Sequence, residues 1–166
     1  MYIELHASSA FSFLDGASLP EALVERAVAL GYGALALLDR DGVYGAPRFH
    51  LSAKKAGLKA IIGAELTIRP TAHGPQATDS IVRLPVLIES QAGYKNLCRL
   101  VTMMKLRAPK GSGALTLDEL DGHTAGLIAL GGRAPLSIAR PRITCRLSPP
   151  MAFASRNPPI VRCTTS

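Results

Sequence analysis

Four side chains in this sequence have the chemistry to hold a metal ion: His6, Asp15, Asp39 and Glu65. Imidazole nitrogens and carboxylate oxygens suit zinc, manganese or iron, and a metal held by them can polarise a water for attack on a phosphate ester. His6 closes a short strand-like stretch, and Asp15 follows nine residues later, just before Gly16. Asp39-Arg40-Asp41 comes directly after the apolar run Ala34–Leu38, and Glu65 lies inside the apolar run at 59–68. Strand ends and the loops after them are where α/β barrels place their sites. Each residue also has a plainer reading. A histidine at a strand end is often a hydrogen-bonded structural group. Asp15 can bond its own turn, and Asp39 can pair with Arg40 or cap the following turn. Glu65 is harder to set aside, because a carboxylate in a buried strand needs a partner. His50, His73 and His123 read as structural or solvated, and Cys98, on a helix among Leu97 and Leu100, reads as packing. No Walker loop, GxGxxG, G-x-S-x-G or HExxH is present, so no catalytic or nucleic-acid-binding residue is assigned.

The elements that must position these residues alternate between strand and helix. Strands are predicted at Tyr2–His6, Ala34–Leu38, Lys59–Ile68, Ile81–Glu89 and Leu127–Leu130. Pro85 points to an edge or a bulge in the fourth. A helix is predicted from Pro20 to about Leu30, with Ser18 and Glu21 as a capping box and Gly31 as its stop. A second helix covers about Ala46–Ala56, with Pro47 in its first turn and Gly57 at its end. The longest covers Gln91–Leu106, with Tyr94, Leu97, Val101 and Met104 on one face, and Thr116 with Glu119 reads as the capping box of a short helix. Residues 69–80 read as a loop. Strands separated by helices imply βαβ units and parallel pairing.

The chain has 166 residues, 48% of them hydrophobic and 19% charged, which suits one globular domain with a real core. No apolar run reaches the roughly 18 residues of a membrane span, and the N-terminus lacks a secretory pattern. Three scattered cysteines do not make a disulfide framework or a zinc knuckle, so a cytoplasmic location is expected. The net charge of +7 is uneven: residues 135–166 carry five arginines and no acid, leaving +2 for residues 1–134. The basicity therefore belongs to the tail, which also holds six of the twelve prolines. Basic residues on the long helix, with Arg107 and Lys110 beyond it, read as a solvated face rather than a nucleic-acid interface. Residues 1–134 are expected to form the folded domain, and 135–166 a Pro/Arg-rich tail, disordered or produced by a frameshift.

The segment ELHASSAFSFLDGASLPEALVERA resembles the first motif of the PHP domain of bacterial error-prone C-family DNA polymerases, the class of the DNA polymerase III alpha subunit. ALALLDRDGVYGAPRFHLSAKKAGLKAIIGAEL resembles the second and third motifs, and LPVLIES with KLRAPKG resembles the error-prone branch. The resemblance covers residues 1–134 in three ordered segments. It implies an N-terminal fragment with a PHP-type distorted β/α barrel, incomplete at about five of seven strands and followed by an irregular tail. It also implies a DNA-directed DNA polymerase, a nucleotidyltransferase of DNA replication, repair and damage-tolerant synthesis, whose polymerase region is not in this chain. The implied partners are that polymerase region, DNA and replication or repair proteins, and the isolated fragment is expected to aggregate.

By the same resemblance His6, Asp15, Asp39 and Glu65 match metal ligands. Ser8 and Arg40 stand where the family has histidines, Arg83 replaces a histidine and Arg133 a cysteine. A guanidinium cannot ligate and repels a dication. The resemblance thus implies a degenerate site, with a divalent zinc or manganese ion as its only candidate cofactor, and a non-catalytic scaffold. The alternative is a stand-alone, metal-dependent PHP phosphoesterase, and a third reading is a basic DNA-binding protein.

Overall fold

The computed structural model describes residues 2–69, 81–109 and 111–131, with the backbone of 145–146 and 160–163. Along the chain run β1 (Ile3–Ala7), α1 (Pro20–Ala29), β2 (Ala34–Arg40), α2 (Ala46–Ala56), β3 (Lys59–Ile68), β4 (Val82–Ile88), α3 (Gln91–Leu106), a 3-10 turn at Asp118–Leu120, β5 (Leu127–Leu130), β6 (Cys145–Arg146) and β7 (Ile160–Cys163). The strand order is β1-β2-β3-β4-β5-β7-β6. The pairs β1–β2 and β2–β3 are parallel, as the alternation of strand and helix predicts, whereas β5–β7 and β6–β7 are antiparallel. The sequence reading assigned no element to the Pro/Arg-rich segment, where β6 and β7 lie. The predicted loop at 69–80, except Arg69, together with His73, Lys110 and Arg133, lies outside the described residues.

Two compact units divide the chain, Met1–Leu66 with Pro85–Leu87 and Thr67–Leu84 with Ile88–Ser166. In the first, Leu35 and Leu37 of β2 pack with Val24 and Ala27 of α1, Phe49 and Ala53 of α2, and Leu58. Alternate residues of a strand face opposite sides, so this layer leaves Leu38 and Arg40 to the other side of β2. Helix α2 ends where Gly57 adopts φ +70, a left-handed C-terminal position that glycine takes without Cβ strain.

The start of α1 differs from the sequence reading. Its N-cap is Leu19, with no side-chain cap hydrogen bond, and Pro20 occupies the first turn. The Ser18–Glu21 box is therefore one position out of register. The Ser18 carbonyl accepts from the Ala10 amide at 2.8 Å, and Glu21 accepts from Arg48 of α2 at 2.6 Å.

In the second unit α3 buries Gly93, Leu97, Leu100 and Met104. Leu100 takes the place assigned to Val101, and Tyr94 is exposed. Ser90 caps the helix by accepting from the Gly93 amide at 3.2 Å. A Cβ at Gly93 would collide with the Gly126 carbonyl, so this close approach requires glycine. The Thr116–Glu119 pair works as half a capping box, with the Thr116 amide donating to Glu119 Oε2 at 2.7 Å. Pro85 sits in β4, which lies between β3 and β5 in the strand order rather than at an edge. A strand's N–H groups point alternately to its two neighbours, so proline there removes a single ladder donor. Among the described residues no helix is long and apolar enough to cross a membrane.

Candidate functional site

The register between β2 and β3 sets Asp39 beside Ala64 and Arg40 beside Glu65. Asp39 and Arg40 are adjacent, so their side chains leave opposite faces of the sheet. Asp39 shares the parity of Leu35 and Leu37 and is buried with them, 1% exposed. Its Oδ1 accepts from the Ser9 amide at 2.9 Å, the Ser9 hydroxyl at 2.8 Å and the Ser12 hydroxyl at 2.9 Å. Its Oδ2 accepts from the Gly45 amide at 3.1 Å. Gly45 is the N-cap of α2, whose first turn carries no acid of its own. The Asp39 carboxylate thus supplies the negative charge that a helix N-terminus favours, and four donors offset its burial.

On the other face His6 Nε2 lies 3.2 Å from Glu65 Oε1. The Glu65 hydrogen bond raises the His6 pKa above its ordinary value, against a smaller opposing effect of burial. The β1–β2 register shifts between Glu4 and Ala7, and the His6 amide in that irregularity donates to Glu4 Oε1 at 2.9 Å. Arg40 Nη2 lies 3.0 Å from Asp15 Oδ2 and also donates to the Phe13 carbonyl. The Arg40 amide donates to the Ser12 hydroxyl at 3.0 Å. Ser8 donates its hydroxyl to the Leu38 carbonyl at 3.1 Å.

The four sequence candidates therefore fall into three settings. His6 and Glu65 are together, Asp15 is with Arg40, and Asp39 belongs to the serine cluster at α2. Among the described residues no three His, Cys, Asp or Glu side chains are gathered to hold a metal ion. Sequence reasoning missed Ser9 and Ser12 as partners of Asp39. The available signal was parity: Leu35, Leu37 and Asp39 occupy alternate positions, which places Asp39 on the core side. Of the histidines read as plain, His50 is exposed and His123 intermediate. Cys98, read as packing, is only half-buried and lines a shallow cavity of about 340 Å³ with Arg99, Thr102, Met103 and His123.

The sequence of residues 4–144 matches the PHP domain family, and the chain belongs to that family. Its α/β fold is accordingly of the PHP type. The error-prone DNA polymerase of Ralstonia nicotianae is 46% identical over 131 residues, covering 79% of this chain and 12% of that protein. The error-prone DNA polymerase of Mycobacterium bovis is 37% identical over 164 residues, covering 89% of this chain and 15% of that protein. The chain thus spans 12% to 15% of the length of these relatives. An amidohydrolase structure from Chromobacterium violaceum aligns with a TM-score of 0.49 and 26% identity, covering 63% of this chain and 33% of that one.

Proposed function

We propose that this PHP domain is a non-catalytic structural module of an error-prone DNA polymerase, serving replication and damage-tolerant repair synthesis in the cytoplasm. In that reading the nucleotidyl transfer belongs to a polymerase region elsewhere in the parent protein, and DNA and replication or repair proteins are that protein's partners. The similarity to error-prone polymerases supports the setting.

The non-catalytic reading rests on the state of the donor atoms. A hydrolytic metal centre needs several lone pairs converging on one point. Here the Asp15 carboxylate meets a guanidinium at 3.0 Å, and the His6 imidazole meets Glu65 at 3.2 Å. Asp39 is surrounded by four hydrogen-bond donors. His6, Asp15, Asp39 and Glu65 are thus the remnants of a site rather than a working one.

The test is metal analysis of the purified chain, together with phosphate release from a small phosphate monoester and from a DNA 3′-phosphate in manganese. The expected outcome is substoichiometric metal and no turnover. Two or more equivalents of tightly held metal with turnover would establish the phosphoesterase instead.

A further inference from the structure

We propose that Arg40 is a built-in cation that positions the loop Ser8–Gly16 and makes its conformation independent of divalent metal. The proposal deepens the non-catalytic reading and rests on it.

Three observations carry it. First, Arg40 reaches the loop at three points: its guanidinium meets the Asp15 carboxylate at 3.0 Å and the Phe13 carbonyl, and its amide meets the Ser12 hydroxyl at 3.0 Å. Second, these points flank Leu14, which holds φ at +71. A left-handed backbone costs a non-glycine residue of order 1 kcal/mol or more and persists only where its surroundings enforce it. The Leu14 side chain is 91% exposed, so its burial does not offset that cost. The enforcement comes from the backbone turn, in which the Asp15 and Gly16 amides both donate to the Ser12 carbonyl at 2.9 Å, and from Arg40 closing on either side of Leu14. Third, the positive charge faces the Asp15 carboxylate directly, at 3.0 Å. A guanidinium keeps its charge at every working pH and fixes two acceptors in one plane. A divalent ion would do the same for Asp15 only with further ligands, and Arg40 repels it.

Hydrogen–deuterium exchange of the full chain tests this, following a peptide over residues 8–16 with a peptide over α3 as the internal reference. In the wild type the loop's exchange is expected to be the same in EDTA, in manganese and in zinc. Arg40→Met is expected to speed exchange over residues 12–16 by roughly fivefold, the scale of one partly exposed ion pair with its hydrogen bond, with α3 unchanged. Arg40→Lys keeps the charge but not the fork, and is expected to recover part of the protection. Slower loop exchange in wild type on adding either metal, or equal exchange in wild type and Arg40→Met, would overturn the proposal. Should Arg40→Met not fold, the metal series on wild type and the Arg40→Lys comparison decide alone. Phosphate release measured on the same samples keeps the two readings separate: turnover overturns the non-catalytic module, whereas metal-ordered loop exchange without turnover overturns only the role of Arg40.

Discussion

Asp39 and Arg40 are consecutive residues at the end of one strand, yet they serve two different regions. The Asp39 side is dry and fully satisfied: one carboxylate, four donors and a helix N-terminus. The Arg40 side is half open to water and made of the Arg40–Asp15 ion pair and the His6–Glu65 contact. A buried charge is costly to leave unpaired, whereas an exposed pair contributes little. The buried side should therefore hold the fold, and the open side should tolerate change in the chemistry it performs. By that asymmetry the side chains of the open corner can change while the surrounding strands and helices persist.

The sharpest way to break the comparison is at Asp39. Asp39→Ala removes the acceptor for the Ser9 and Gly45 amides and for two hydroxyls, leaving donors without partners in a dry site. The expected loss is about 3 kcal/mol or more, read by urea unfolding of the chain. A loss below about 1 kcal/mol would mean that water reaches the cluster and that the two sides do not differ as described. Gly45→Ala comes next. Its backbone, φ −79 and ψ −15, suits alanine, which alone would stabilise by about 0.4–1 kcal/mol. A Cβ there, however, lies 2.6 Å from Asp39 Oδ2 and 3.0 Å from Ser9 Oγ. The crowding should win, with a net destabilisation of about 1–2 kcal/mol; a stabilised variant would show that the cluster is loose.

Sequence alone carried most of the elements and only part of the site. Helices α2 and α3 and strands β3 and β5 fall where the sequence places them: α2 ends at Gly57 and β5 before Gly131, while α3 and β3 are carried by the spacing of their apolar residues. The cap of α1 was misread because a Ser-x-x-Glu pattern does not reveal which residue is the cap, and Pro20 settled that one position later. His6 and Glu65 were legible as a pair of candidates, and Arg40 as a foreign charge among them. The core-side placement of Asp39 was signalled by its parity with Leu35 and Leu37, whereas which carboxylate Arg40 would take was not legible. The parallel register sets Arg40 beside Glu65, yet its guanidinium reaches Asp15 in the loop after β1, and no local pattern states either.

On the open side, Asp15→Asn should cost less than any change at Asp39. The pair is 28% exposed at Arg40 and 35% at Asp15, so its contribution is on the order of 1 kcal/mol or less. The effect should shrink further between low and high salt, as screening reaches a pair open to solvent. A salt-insensitive loss equal to that of Asp39→Ala would erase the distinction between the two sides.

The smallest effect calibrates what an exposed arginine–carboxylate pair contributes in this protein. In the second unit Arg107 makes a two-pronged contact with Glu119 and donates to the Ala114 carbonyl at 2.6 Å. The Arg107 hydrogen bond is the chief cause holding the Glu119 carboxyl down at about 2, against an ordinary value of 4.5. A carboxyl depressed on folding adds stability that is fully present above its unfolded value and disappears as pH falls through its folded one. The window here runs from about pH 4.5 down to about pH 2. Glu119→Gln should flatten the pH dependence of unfolding inside that window and lose the same stability at pH 7, a small loss since water screens a side chain this close to the surface. Asp15→Asn, measured across the same pH range, then gives a direct comparison of one exposed pair with the other. An unchanged pH profile in Glu119→Gln would show that such pairs contribute nothing to folding here, and the stabilising role of Arg40 would have to rest on its hydrogen bonds to Phe13 and Ser12 rather than on its charge.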